Sequence, residues 1–492
     1  MGIEINSTAF DAADRERFTA RLEAQLEALG ELLNTPDFGR GPISMGAELE
    51  LYLVDADGHP SCRNEVLSEA ADDEQLTVEL NQYNLEYNLS PVMLGEAGLR
   101  ATEAEIESKL RGLASLAAEH DTRVVPIGIL PTLRPEDFGR QFVTPRKRYH
   151  ALVDRLIASR GSDFEIDING RDPLKLAVRD ITLEGANTSF QVHLRVDPER
   201  FADTFNAIQL VTPLALAISA NSPGLFGHQL WDETRIPLFK QSIDTRHEDR
   251  YQWSEPARVS FGHGWARRGA LELFEQAVRL YPPLLPACEA DPRPIGPNGL
   301  PELAEMRLHQ STVWLWNRPV YDDHAGGHLR IEMRAAPAGP TAVDMVAGAA
   351  LMIGLAHGMR DRVDALLPAI PFPLAEYNFY RAAQHGLAAR LVWPGAAQNG
   401  LNERPIVDIL GDLLPLADAG LSELGVAQSE RDRYLNVIDA RLAARRNGAS
   451  WQRECTQLRI AQGCDKPDAL RLMLSEYQKH SRENIPVSEW PL

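Results

Sequence analysis

The amino-acid sequence predicts an α+β fold built on a largely antiparallel sheet, with helices on one of its faces. Three observations predict it. Four short stretches alternate apolar and polar residues with the two-residue period of a half-buried strand. Amphipathic helical patterns lie between them without the regular β-α-β-α order of a doubly wound sheet. At 492 residues, 44% of them hydrophobic and 24% charged, the chain has material for a large core.

The elements follow in order. Residues 10–34 carry Phe18, Leu22, Leu26 and Leu29 at helical spacing before the breaker "NTPDFGRGP". Strands are expected at 46–54 and 83–89. A helix over 103–120 is expected to open with the capping box Thr102-x-x-Glu105 and to bury Ile106, Leu110, Leu113 and Ala117. "VVPIGIL" (124–130) reads as a buried strand, 144–159 as a helix and "TSFQVHLRV" (188–196) as a strand. Asp197 and Pro198 supply an N-cap and first-turn proline for a helix to about residue 220. Residues 222–300 read as loops with a helical insertion near 269–280. A strand at 328–334 and a helix over 341–360 follow. Three regions result: a helical segment (1–40), a main domain (41–395) and a mainly helical C-terminal appendage (396–492).

Charge and cysteine usage narrow the function classes. Seventy acidic against fifty basic residues give a net charge of −20, which argues against a nucleic-acid or anionic-membrane surface and leaves small-molecule substrates. Cys62, Cys288, Cys455 and Cys464 are scattered, without C-x-x-C pairs, which suits a reducing cytoplasm and no zinc site. "MGIEINSTAFDAADRERF" lacks the pattern of a signal peptide, and the apolar runs "LVTPLALAISA" and "MVAGAALMIGLA" are short for a membrane span. They are expected as core helices. Composition leaves a homo-oligomer open.

The strands carry the functional signal. In "GAELELYLVD" Glu48 and Glu50 share one face and Ala47, Leu49, Leu51 and Leu53 the other. Asn84, Glu86 and Asn88 repeat this in "YNLEYNL", Gln191, His193 and Arg195 in "SFQVHLRV", and His328, Arg330, Glu332 and Arg334 in "HLRIEMR". An ordinary wet sheet face would mix Thr, Ser and Lys. If these strands form one sheet, its polar face gathers carboxylates that repel one another unless cations neutralise them. Oxygen ligands around one imidazole suit magnesium or manganese, and Mg²⁺ commonly bridges carboxylates to nucleotide phosphates.

The ordered pieces "GAELELYLVD", "VELNQYNLEYNLSP", "TSFQVHLRV", "AISANSP", "HLRIEMRAAP" and "NFYRAAQHGLAARLV" resemble the glutamate–cysteine ligase type 2 family of carboxylate-amine ligases, similar in its sheet to glutamine synthetase. The resemblance covers about residues 40–395. It implies a glutamine synthetase-like fold and an ATP-dependent ligase that makes an amide through an acyl phosphate, with Mg²⁺ or Mn²⁺. It implies further that Glu48, Glu50, Glu79, Glu86, His193 and Glu332 hold metal and that Arg334 is catalytic. Glutamate is the favoured carboxylate and cysteine the most obvious amine. The chain is longer than compact members of the family, which bears on the second substrate more than on the ATP chemistry.

Arg330, Arg235 and Asn187 are candidates for nucleotide or substrate contact, with structural roles for Arg235 and Asn187 as the alternative. Asn378 and Arg381 match family positions near the site. "GHGWARRG" (262–269) is a surface turn or a basic loop over a phosphate, and no P-loop or G-x-G-x-x-G motif occurs. His309 and Ser311 lack an acid partner and a nucleophile elbow, so no hydrolase triad is expected. Two other functions fit the same residues: a phosphotransferase acting on a guanidino or amine group, and a non-catalytic nucleotide or amino-acid binder.

Overall fold

The computed structural model describes residues 5, 8–95, 97–246, 252–289, 295–296, 298–394 and 401–492. The expected boundary at 395 and parts of the 222–300 stretch lie outside them. Seven strands form the main sheet: β1 (Ser44–Val54), β2 (Leu76–Val78), β3 (Asn84–Met93), β4 (Arg123–Val125), β5 (Phe190–Val196), β6 (Asn317–Asp322) and β7 (His328–Met333). Their order is β6-β7-β5-β1-β3-β2, with β4 on the far half of β1, and every pairing is antiparallel.

Register fixes the faces. Glu48 stands between Asn88 and Gln191, Glu50 opposite Glu86, and His193 opposite Glu332. Cross-strand partners share a face, so the alternating polar residues of four strands line one surface. Leu49, Leu51, Leu85, Val192 and Ile331 are buried on the other. Helices α1 (Gly98–Ala118) and α2 (Ala342–Arg360) cover that apolar face. The apolar runs noted in the sequence lie in α2 and in the helix Phe201–Ser219, and both are core helices.

Three elements differ from expectation. Helix α1 begins at Gly98, after Ala97 in the left-handed region (φ 59°), without a side-chain cap. Thr102 instead donates to the Gly98 carbonyl inside the first turn, and Glu105 accepts from Ser90, so the capping box is absent. The strand expected over 124–130 is only Arg123–Val125, because the following residues turn away to pass Arg235 and Asn221. Residues 198–200 form a 3₁₀ turn ahead of the α-helix.

The C-terminal helices belong to this body rather than forming an appendage. Helix Ile406–Glu423 crosses α2 at Gly420 and Gly354, where a Cβ on Gly420 would fall 2.1 Å from the Gly354 carbonyl oxygen. Arg441 forms a fully buried ion pair with Asp344 of α2, and the Tyr477 hydroxyl donates to the Pro126 carbonyl at 2.8 Å. Helix Ala12–Leu33 is likewise tied in, by Arg21 to Glu305 at 2.5 Å.

Candidate active site

The polar face of the sheet is the floor of a cavity of about 520 Å³. That is within the range of roughly 300–1,000 Å³ usual for small-molecule sites. Glu48, Glu50, Glu86, Gln191, Arg318 and Arg334 line it from the strands. Glu79, Arg146, Arg148 and Tyr149 close one side, and Glu184, Ser311 and Trp314 complete the lining.

One end is dense with paired charge. His193 Nε2 lies 3.2 Å from Glu48 Oε1 and 3.8 Å from Glu332 Oε1. Glu332 accepts 2.9 Å from Arg334 and is forked by Arg318, its cross-strand partner. Arg334 also donates to the Gln191 side-chain oxygen, and the Gln191 amide donates to Glu50 at 2.9 Å. The Ser189 N–H holds the second Glu50 oxygen at 2.7 Å. Burial disfavours the charged form of Glu332, but the Arg318 and Arg334 guanidiniums outweigh it and hold the carboxyl well below its usual range. Burial acts against Glu48 in the same way, yet the neighbouring His193 brings it down to about 2.

The other end carries acids without cations to match. Glu86 is pushed up to about 8 by burial and then by Glu48, although Asn88 donates to it at 3.1 Å. Glu79 is raised by burial, then by Glu86, Glu50 and Glu184, and its hydrogen bond is to the next backbone N–H, of Leu80. Glu184 is pushed up to about 8, again by burial first and then by Glu50.

The donor set fits divalent cations. Glu48, His193 and Glu332 each offer a ligand atom, all within 4.8 Å of one another. Neither ring nitrogen of the buried His193 has a hydrogen-bond partner, as a histidine waiting for a Lewis acid would show. Glu50, Glu79 and Glu86 line the same cavity with further oxygen donors, without the close spacing of that group.

Several expected residues stand elsewhere. Arg330 shares the strand of Glu332 but is outside the cavity lining, bound to Asp322 at 2.6 Å. Arg235 is buried at 2% exposure and donates to Glu233 and to the Ala335 carbonyl, so it supports the backbone next to Arg334 and does not reach the cavity. Asn187 turns its amide onto the Leu183 and Glu184 carbonyls, and Asn378 binds the backbone of Val392. In "GHGWARRG", Arg267 and Arg268 pair with Glu272. His309 donates to the Ala277 carbonyl, away from Ser311. Sequence reading missed Arg318, Glu184, Arg148 and Tyr149. Arg318 had a usable signal, two-residue spacing from Val320 on a strand facing Glu332; the others lie on a turn and a helix with no period to mark them.

Comparisons with known proteins bear on the family and the fold. The sequence pattern described as Glutamate-cysteine ligase family 2 (GCS2) matches residues 44–485. A comparison with curated protein sequences finds no match. Among solved structures, glutamate–cysteine ligase (GshA) from Francisella tularensis, in complex with AMP, aligns with a TM-score of 0.54 at 11% identity, covering 92% of this chain and 91% of that one. A bifunctional glutathione synthetase from Pasteurella multocida aligns with a TM-score of 0.47 at 11% identity, covering 94% of this chain and 55% of that one. The first likeness extends the glutamine synthetase-like fold to this protein. With 44–485 matched, the chain belongs to glutamate-cysteine ligase family 2 and is an ATP-dependent carbon–nitrogen ligase of the carboxylate-amine type.

Proposed function

We propose that this site joins the side-chain carboxylate of glutamate to the amine of a second amino acid, cysteine being the first to test, through an acyl phosphate. The observation that carries the reading is the convergence of Glu48, Glu50, Glu86, His193 and Glu332 on one face of the sheet, with Arg318 and Arg334 beside them. A carboxylate is a poor electrophile, so its oxygen first takes the γ-phosphoryl group of ATP, and the amine then displaces phosphate. Such transfer depends on positioning and on neutralising charge. Glu48, His193 and Glu332 would hold one Mg²⁺ or Mn²⁺ and Glu50, Glu79 and Glu86 another, which would supply charge neutralisation of the phosphates.

The remaining work falls to the chain's own residues. Arg334, held between Glu332 and Gln191, is a fixed cation at the cavity wall and stabilises charge on the transferring group. Arg146 and Arg148 present guanidiniums suited to substrate carboxylates. Trp314, Leu76 and Leu152 give the cavity apolar walls that limit water near the acyl phosphate. The scattered cysteines suit a cytoplasmic enzyme.

The test is ADP release from MgATP with glutamate and a panel of amines, followed by the mass of the product. A condensed product formed only with both substrates is expected. A phosphorylated substrate with no condensation would instead assign a phosphotransferase.

A further inference from the structure

We propose that Glu184 receives the acceptor amine: its carboxylate binds the incoming ammonium group and takes the proton that must leave before the nitrogen can attack. This rests on the ligase reading above and adds to it a residue with its own role.

The first observation is how the residue is held. Glu184 sits on a 3₁₀ turn, Glu184–Ala186, on a different element from the strand acids. The turn is clamped from several sides. The Tyr52 hydroxyl donates to the Ala186 carbonyl at 2.7 Å, Asn81 donates to the Thr182 carbonyl at 2.9 Å, and the Asn187 amide binds the Glu184 carbonyl at 2.8 Å. Gly185 is required, since a Cβ there would fall 2.4 Å from the Asn81 amide. A turn fixed this tightly sets the direction of its side chain.

The second observation is what the side chain does not do. Among the described residues no hydrogen bond or ion pair reaches the Glu184 carboxylate, although it lines the cavity together with Arg334. Glu184 is half-buried and none of its oxygens is a buried unsatisfied atom, so the carboxylate opens to the cavity and is available to an incoming cation. The two cation groups account for the strand acids and Glu79 and leave Glu184 over.

The chemistry needs one such group. An alkyl amine arrives as an ammonium ion, attracted to a carboxylate and unreactive until it loses a proton. Glu184 takes that proton, and the freed lone pair forms the C–N bond at the acyl phosphate carbon. The C–O bond to phosphate breaks, phosphate leaves with the electron pair, and the second N–H proton goes to the departing phosphate. The products are the amide and inorganic phosphate.

Hydroxylamine separates this role from others, because it is uncharged at neutral pH and attacks acyl phosphates without a base. Wild type and Glu184→Gln are compared at pH 7.5 with MgATP and L-glutamate, using either L-cysteine or hydroxylamine as acceptor. The variant is expected to lose about 100-fold in kcat/KM for L-cysteine, as removal of a general base does. Hydroxamate formation should stay within about 3-fold and the KM for ATP should not move. Glu184→Asp should recover part of the cysteine reaction, and thermal melting of both variants shows that they fold. Equal loss with both acceptors, or loss with neither, would overturn the assignment. A wild type that forms no hydroxamate would overturn the ligase reading and this assignment with it.

Discussion

The two ends of the cavity are built from the same residue type to opposite electrostatic effect. Around Glu332, two guanidiniums and an imidazole surround two carboxylates, and Glu332 and Glu48 are held ionised. Around Glu79, Glu86 and Glu184 burial and neighbouring acids outweigh the pull of Arg334 on Glu86 and Glu184, and all three are pushed toward their neutral forms. The first end is braced by the protein's own hydrogen bonds before any cation binds. At the second end the raised acids exchange protons near neutral pH and give them up when a cation arrives. A ligase needs both: a rigid clamp for the transferring phosphoryl group and a region that changes charge as substrates arrive.

The largest effect should come from the balanced end. Glu332→Ala leaves Arg318 and Arg334 buried without their shared acid. Turnover measured by ADP release should fall by about 1,000-fold or more, and denaturant unfolding should show a loss of about 3 kcal/mol, typical of one broken partner in a buried ion pair.

The unbalanced end should show itself in pH dependence. Glu86 and Glu184 titrate near 4.5 in the unfolded chain and are pushed up to about 8 in the fold, by burial first and then by Glu48 and Glu50 respectively. The folded, cation-free protein therefore binds these protons more tightly than the unfolded chain does. Their contribution is fully present below pH 4.5 and is lost as pH rises through about 8. Chelated protein should lose on the order of 5 kcal/mol between pH 6 and 8.5, half from each group. Adding MgCl₂ should restore most of it, increasingly so toward high pH, which melting curves with and without EDTA can read.

Smaller effects test the supporting residues. Asn187→Ala removes two hydrogen bonds from the Glu184 turn and should cost about 1–2 kcal/mol in stability. Turnover with cysteine should drop more than hydroxamate formation. Arg330→Ala, at the strand's outer end with Asp322, should leave kcat and KM within about 3-fold of wild type.

The comparison also explains what was legible in the sequence. Period-two alternation placed Glu48, Glu50, Glu86, His193 and Glu332 on strand faces, and antiparallel register then brought the faces together, because cross-strand partners share a face and each strand buries its apolar side. Glu79 was harder, since it lies in the turn between β2 and β3. Glu184, Arg148 and Tyr149 were invisible: a 3₁₀ turn and the first turn of a helix carry no pattern that separates a cavity-facing side chain from a wet one. In the sequence Arg235 is a candidate for nucleotide or substrate contact, with a structural role as the alternative. Its burial against Glu233 depends on the fold of residues 221–235 and could not be read from spacing. The C-terminal helices read as an appendage because the close crossing of Gly354 and Gly420 joins residues far apart in sequence and leaves no local pattern.

The central claim is that the unbalanced acids are a cation site. It is tested most directly by calorimetric titration of MnCl₂ into metal-stripped protein at pH 8, with wild type and Glu86→Gln side by side. The account expects more than one Mn²⁺ per wild-type chain, proton release on binding, and for Glu86→Gln the loss of one binding event with at least 10-fold weaker affinity. No binding to wild type, or identical isotherms for the two proteins, would contradict it.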